Sequence, residues 1–316
     1  MIALLLRRLA FSVGALLLVS LVLFALTRAL PDSPARMVLG FDATDQAIAA
    51  WEQRNGLDRP VLAQYGSWLR ALVLQGDLGR SPVTGLAMNQ RIRETLPVTL
   101  EIVSLAFIFS ALLSIGLGTI SAFMEGSLAD QLSRLFAVLG VSVPGFWLGL
   151  LLITVFAVDY GWFPAGGMVP LSAGIGAHLN SLVLPAFSLG VFYTAILSRM
   201  TRSSLAEVLG QDYIRTARAS GLPRRLILLY ALKNALVPVV TAGAMSFGYM
   251  FGWALVIETV FNIGGMSGAL LTAIGQRDFA MVQAVVLVFT LIFLAANLVA
   301  DMTNAWLDPR LAAAGG

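Results

Sequence analysis

The sequence predicts an all-α membrane protein with six transmembrane helices, and three observations carry that reading. Of 316 residues, 58% are apolar and only 12% charged, where soluble domains carry about 25% charged residues. Six uncharged stretches lie at 9–27, 102–124, 135–158, 179–198, 234–257 and 279–300. Each is close to the roughly 20 residues a helix needs to cross the hydrocarbon layer. None alternates with the period of two that a membrane β-strand shows. The net charge is only +3 and sits in segments flanking the apolar stretches. That is a topogenic pattern and excludes a nucleic-acid footprint. Cysteine is absent, which excludes disulfides, thiol catalysis and cysteine-ligated metals.

Taken in order, the first stretch follows Arg7 and Arg8. It is longer than the roughly 7–15-residue core of a signal peptide, so residues 1–30 read as the N-terminus and an uncleaved first span. Residues 31–96 read as a helical extracytoplasmic insertion. There Asp45 is placed to cap a helix running to Asn55, with Gly56 at the stop. Pro60 suits the first turn of a second helix. Val61, Leu62, Tyr65, Trp68, Leu69, Leu72 and Val73 share one face of it. The Tyr and Trp suit the outer membrane interface or a sister subunit. Gly76-Asp77-Leu78-Gly79 then turns the chain toward the second span. A packed cap and a substrate guide are both open roles for this insertion.

Residues 97–310 read as the five-helix core, and 311–316 as a disordered tail. Breakers interrupt the core: Val143-Pro144-Gly145-Phe146-Trp147 in the third span, Pro185 in the fourth, and Pro238 where the fifth opens. Such breakers are tolerated where neighbours or a wet cavity satisfy the freed backbone groups. Gly248 and Gly252 stand one turn apart, a spacing that lets helices approach closely. Plain packing is preferred there over a substrate role.

Between the fourth and fifth stretches, residues 198–238 form a polar, basic loop. It carries Arg199, Arg202, Arg215, Arg218, Arg224, Arg225 and Lys233 against Glu207 and Asp212. A loop this basic stays in the cytoplasm. An even span number then puts both termini there too. Inside the loop, Asp212 to Pro223 reads as a short helix ended by glycine, a natural contact for a soluble partner.

The apolar stretches hold no ionisable residue; Glu101, Asp159, Glu258 and Asp301 sit at span edges. This argues against a proton-coupled carrier, which needs a protonatable group inside the membrane. It argues less against sodium coupling through backbone carbonyls. No metalloprotease motif is present, and no histidine stands near a membrane serine. The single histidine, His178, reads as a solvated loop residue. There is no phosphate-binding G-x-x-x-x-G-K-[ST] loop. Three classes remain: a channel or secondary carrier acting alone, a membrane subunit driven by a separate ATPase, and a scaffold whose basic loop binds a partner or anionic lipid.

The loop discriminates among them. Asp212 to Pro223 (DYIRTARASGLP), followed by ALKNALVPVVT from Ala231 to Thr241, resembles the cytoplasmic signature of binding-protein-dependent ABC importer permeases. More narrowly it resembles the dipeptide/oligopeptide/nickel branch, in the first permease of the pair. Arg7-Arg8, Gly76-Asp77-Leu78-Gly79, Thr95-Leu96-Pro97, Ser142 to Trp147, Leu184-Pro185-Ala186 and Arg199 with Arg202-Ser203-Ser204 and Glu207 fit in order. So do Glu258-Thr259-Val260-Phe261, Arg277-Asp278-Phe279, Asn297 to Asp301 and Asp308-Pro309-Arg310.

The resemblance implies a type I importer permease fold in the bacterial inner membrane, working by alternating access. It implies four kinds of partner: a homologous second permease, two ATPase subunits that bind the ATP and Mg, an extracytoplasmic binding protein, and lipid. No cofactor and no catalytic residue is expected in this chain. Residues 212–222 are implied to be the coupling helix, with Asp212, Tyr213, Arg215, Thr216, Ala217, Arg218 and Gly221 as its contacts. Phe146, Met245, Tyr249 and Trp253 are candidates for the pore. Short peptides are the expected cargo, with nickel chelates, glutathione or opine-like solutes as alternatives. Ser220 stands where the family has lysine, and the proline usual after Phe261 is missing. The 262–268 loop is therefore expected to be more flexible.

Overall fold

The computed structural model describes residues 2–29, 34–40 and 42–308. The tail at 311–316 lies outside the described residues. All regular elements among them are helical; the one bridge pairs Arg80 with Ala87. The helices are α1 (Ile2–Ala29), α2 (Pro34–Leu39), α3 (Asp45–Arg54), α4 (Val61–Gln75), α5 (Met88–Phe123), α6 (Leu128–Ser142), α7 (Gly145–Leu152), α8 (Ile175–Leu209), α9 (Asp212–Ala219), α10 (Arg224–Val260), α11 (Met266–Gly275) and α12 (Phe279–Leu307). A π-helical turn, Ile153–Asp159, continues α7. Five helices, α1, α5, α8, α10 and α12, are long and apolar enough to cross a membrane.

The third span departs from a single straight helix. α6 and the α7 segment meet at a 101° bend, because Pro144 follows the last α6 turn and cannot continue it. The chain from Asp130 to Val169 nevertheless travels the length of α8. Asp130 reaches Arg202, Gly140 lies on Ala195 and Gly145 on Ser188, and Val169 donates to Ser181. From 202 to 181 is about 30 Å of helix, one hydrocarbon thickness. The geometry is that of a broken span.

α8 is the centre, with 78% of its apolar window buried against 11% for α1. Small residues let its neighbours close in. Gly190 meets the backbone of Ala106, Gly118 meets Thr201, and Ser110 Oγ donates to the Gly190 carbonyl at 2.8 Å. Pro185 and Pro238 do not break their helices. Both lie inside continuous ones, and α10 begins at Arg224 rather than at Pro238. Consequently the 198–238 region is mostly helix. Only short turns separate α8, α9 and α10.

Between α1 and α5, the cap of α3 is Thr44, whose hydroxyl accepts from Ala47 N, one residue before the expected Asp45. Pro60 is the N-cap of α4 rather than a first-turn residue. The aromatic face of α4 turns inward onto its own chain. Tyr65 bonds Ser20 of α1 at 2.8 Å and packs edge-on against Phe24, while Trp68 joins Phe24 at 6.1 Å. Val61, Leu62 and Val73 stay exposed. For Tyr65 and Trp68, the chain itself supplies the surface that the sequence placed in lipid or a sister subunit. After α4, Gly76 is left-handed, and Asn89 ties the turn by accepting from Leu78 N.

His178 is not solvated. It sits in the first turn of α8, 6% exposed, with Nδ1 on the Val169 carbonyl at 2.6 Å and Nε2 on Glu101 at 3.0 Å. Glu258 is buried as well. Its carboxylate accepts from Thr99 of α5 and from Gly268 N in the first turn of α11. The 262–268 stretch is thereby held without its proline: Ile263 N donates to the Glu258 carbonyl, and Met266 N to Thr99 Oγ1.

Candidate functional site: the α9 knob and the α10 face

α9 is a short helix made to stand still. Asp212 opens its first turn and Arg218 closes its last, each favourable to the helix dipole. Its C-terminus is a Schellman motif: Gly221 N donates to the Arg218 carbonyl and Leu222 N to that of Ala217. Gly221 adopts φ +76°, a conformation that costs a residue with a Cβ but not glycine. Ile214 is fully buried in an apolar cluster with Leu205, Ile227, Ala231 and Ala235, and Ala217 and Leu222 pack against it. Burial of such a side chain contributes about 1.5–3 kcal/mol. Tyr213 adds a tether, its hydroxyl accepting from Asn234 Nδ2 of α10 at 2.8 Å.

The other face of α9 is open. Asp212, Tyr213, Arg215, Thr216 and Arg218 are exposed. Arg215 reaches Asp212 at 3.3 Å, but a pair this exposed contributes little. Of the seven residues expected to form the contact surface, only Ala217 is half-buried. The others, with Gly221, are on the surface.

A second surface runs along α10. Met245, Tyr249 and Trp253 recur every fourth residue, so they share one face. With Phe192 and Tyr193 of α8 they line a cavity of about 630 Å³. Phe146, in the first turn of α7, lines an adjoining cavity of about 270 Å³ that also includes Tyr193 and Trp253. The four sequence candidates thus converge on one concave wall. Its lining carries no Asp, Glu, Lys or Arg. Gly252 opens onto it, whereas the ring of Phe293 fills the space beside Gly248. The packing reading therefore holds at Gly248 alone.

Residues 114–313 match the family described as "Binding-protein-dependent transport system inner membrane component", and residues 1–103 match its N-terminal companion. The chain belongs to this family. It is a multi-pass permease of the inner membrane. A Brucella suis protein named as a permease of a peptide transport system is 38% identical over 98% of this chain and 99% of its own. The dipeptide transport system permease protein of Alkalihalophilus pseudofirmus is 36% identical, again over 98% and 99%. The glutathione transport system permease protein of Salmonella typhimurium is 36% identical over 97% of each.

Two features of this permease escaped the sequence reading. Asp130, at the start of α6, has a side chain 1% exposed. It accepts from Ser121 Oγ of α5 at 2.5 Å, from Gly126 N at 3.1 Å and from Arg202 Nε of α8 at 3.0 Å, with Arg134 at 3.2 Å. It locks three helices together beside α9. A lone acid three residues after Ser127, a cap-type spacing, was the available signal. Tyr193 is the other. It is 3% exposed, and its hydroxyl has no partner among the described residues. Nothing in a mid-helix tyrosine distinguishes it before the fold is known.

Proposed function

We propose that this permease is the membrane half-channel of an ATP-driven importer of short peptides. It would be paired with a homologous second permease and moved by two ATPases that bind the ATP and Mg and dock on α9. A binding protein would deliver cargo at the opposite end, where residues 31–96 form the extracytoplasmic insertion. The carrying observation is α9 itself: a helix anchored by a fully buried Ile214 and presenting an exposed polar face. Pre-ordering a docking element lowers the cost of association. The Asp130–Arg202 lock rigidifies the base from which it projects, so a push on α9 would tilt α6 and α8 together as a lever.

The concave wall of Phe146, Met245, Tyr249 and Trp253 is assigned to the translocation path. Without fixed charge it does not select on cargo charge, which suits peptides of varied side chains and leaves selection to the binding protein. Relatives named for peptides and dipeptides support this cargo. A relative named for glutathione, itself a short peptide, supports the second reading.

Reconstitution tests the proposal. The chain alone in liposomes accumulates nothing. Adding sister permease, ATPases and loaded binding protein yields ATP-dependent dipeptide uptake. Uphill accumulation by the chain alone would establish a secondary carrier instead. Orientation is checked separately. A cysteine at Arg7 or Arg218 is expected to resist an impermeant reagent in intact cells, and one at Leu62 to react. The reverse pattern inverts the topology.

A further inference from the structure

We propose that the pocket between residues 31–96 and α12 binds a small carboxylate with an apolar side chain. The cavity, about 220 Å³, is walled by Phe24, Trp51, Trp68, Arg80, Arg277 and Gln283 among others. Gln283 is 7% exposed, and its amide nitrogen is buried with no acceptor among the described residues. Buried donors are ordinarily satisfied, so this one calls for an oxygen brought by a ligand. Arg80 gives one Nη1 hydrogen bond to the Gly85 carbonyl at 3.1 Å, and the rest of its fork is available to a carboxylate.

Arg277 has φ +56°, and only Asn262 joins it among the described non-glycine residues with positive φ. That conformation is set by the end of α11, where Arg277 N donates to the Ile274 carbonyl and Asp278 N to that of Ala273, and it places the Arg277 side chain in the pocket wall. Among the described residues, no carboxylate lines the cavity. Asp278, next in the chain, is engaged by Ser81 Oγ and Met281 N. The wall therefore offers N–H donors and aromatic faces together, which match a carboxylate and its apolar body. The volume lies below the roughly 300–1,000 Å³ of drug-sized sites, which favours an amino-acid-sized ligand over a phospholipid.

The test is calorimetric titration of the full chain in nanodiscs with N-acetylphenylalanine and with its uncharged amide. The acid is expected to bind at least about tenfold more tightly than the amide. Gln283→Leu should weaken the acid by a similar factor, and Gln283→Glu by more, through like-charge repulsion. Equal binding of acid and amide, no binding of either, or an unchanged Gln283→Leu overturns the proposal. Tighter binding of glycerol 3-phosphate than of the acid overturns it too, by assigning the pocket to lipid headgroups. The acid–amide comparison on the unaltered chain decides the matter even if a variant fails to fold.

Discussion

Ile214→Asp is expected to abolish uptake and strip the ATPases from the purified complex, while the chain still inserts in the membrane. Ile214 is 0% exposed and lies among Leu205, Ile227, Ala231 and Ala235. Truncating such a side chain costs about 2–5 kcal/mol. Aspartate also brings a polar group into an apolar cluster, at a further cost of about 1–3 kcal/mol. That exceeds what one buried isoleucine contributes to seating a helix, so α9 detaches from α8 and α10. Arg218→Glu is the contrasting variant. Arg218 is exposed and serves the fold only through the helix-end dipole, so thermal stability should fall only slightly while ATPase affinity falls by about tenfold or more. Gly221→Asp should combine both effects, because aspartate is strained at φ +76°. Co-purification and ATP-dependent uptake measured side by side separate these outcomes. Normal coupling in Ile214→Asp and Arg218→Glu together would remove α9 from the mechanism.

The second large effect is expected at Gly265. A Cβ built there lands on the Glu258 carboxylate, which is itself fixed by Thr99 and Gly268 N. Overpacking of this kind costs about 1–3 kcal/mol. Gly265→Ala should therefore lower the temperature at which the purified chain loses monodispersity. Glu258→Ala should do so as well, by leaving the Thr99 hydroxyl and the Gly268 amide without an acceptor, each about 1–3 kcal/mol. The double variant should be less damaged than the sum, since the methyl then occupies space the carboxylate has vacated. A coupling of about 0.5–3 kcal/mol is the range for touching residues. Strict additivity would mean that the two positions do not meet.

These two sites differ in how far they were legible. The short helix at 212–219 could be read because its signals are local: an acid at the start, small residues, and a glycine where the backbone must turn left-handed. Apolar length likewise marked the spans, since hydrocarbon thickness sets it. What the helices meet could not be read. Glu258 looked like a charge at a span edge, and the missing proline looked like looseness. The partners that reverse both readings, Thr99 and the first turn of α11, are remote in sequence or hidden by the turn between them. His178 went the same way, because Glu101 lies 77 residues distant.

The sequence by itself determined a helical membrane protein with a small ordered basic knob late in the chain, and its motifs carried the resemblance to importer permeases. Hydropathy and capping act over a few residues and need no knowledge of neighbours. Only the tertiary structure decided that the third span bends by 101° and that the aromatic face of α4 closes on α1. It alone showed Asp130 joining three helices near α9, and a donor-lined pocket against Gln283. Each of these depends on which surfaces come together, and packing joins groups that the chain holds far apart.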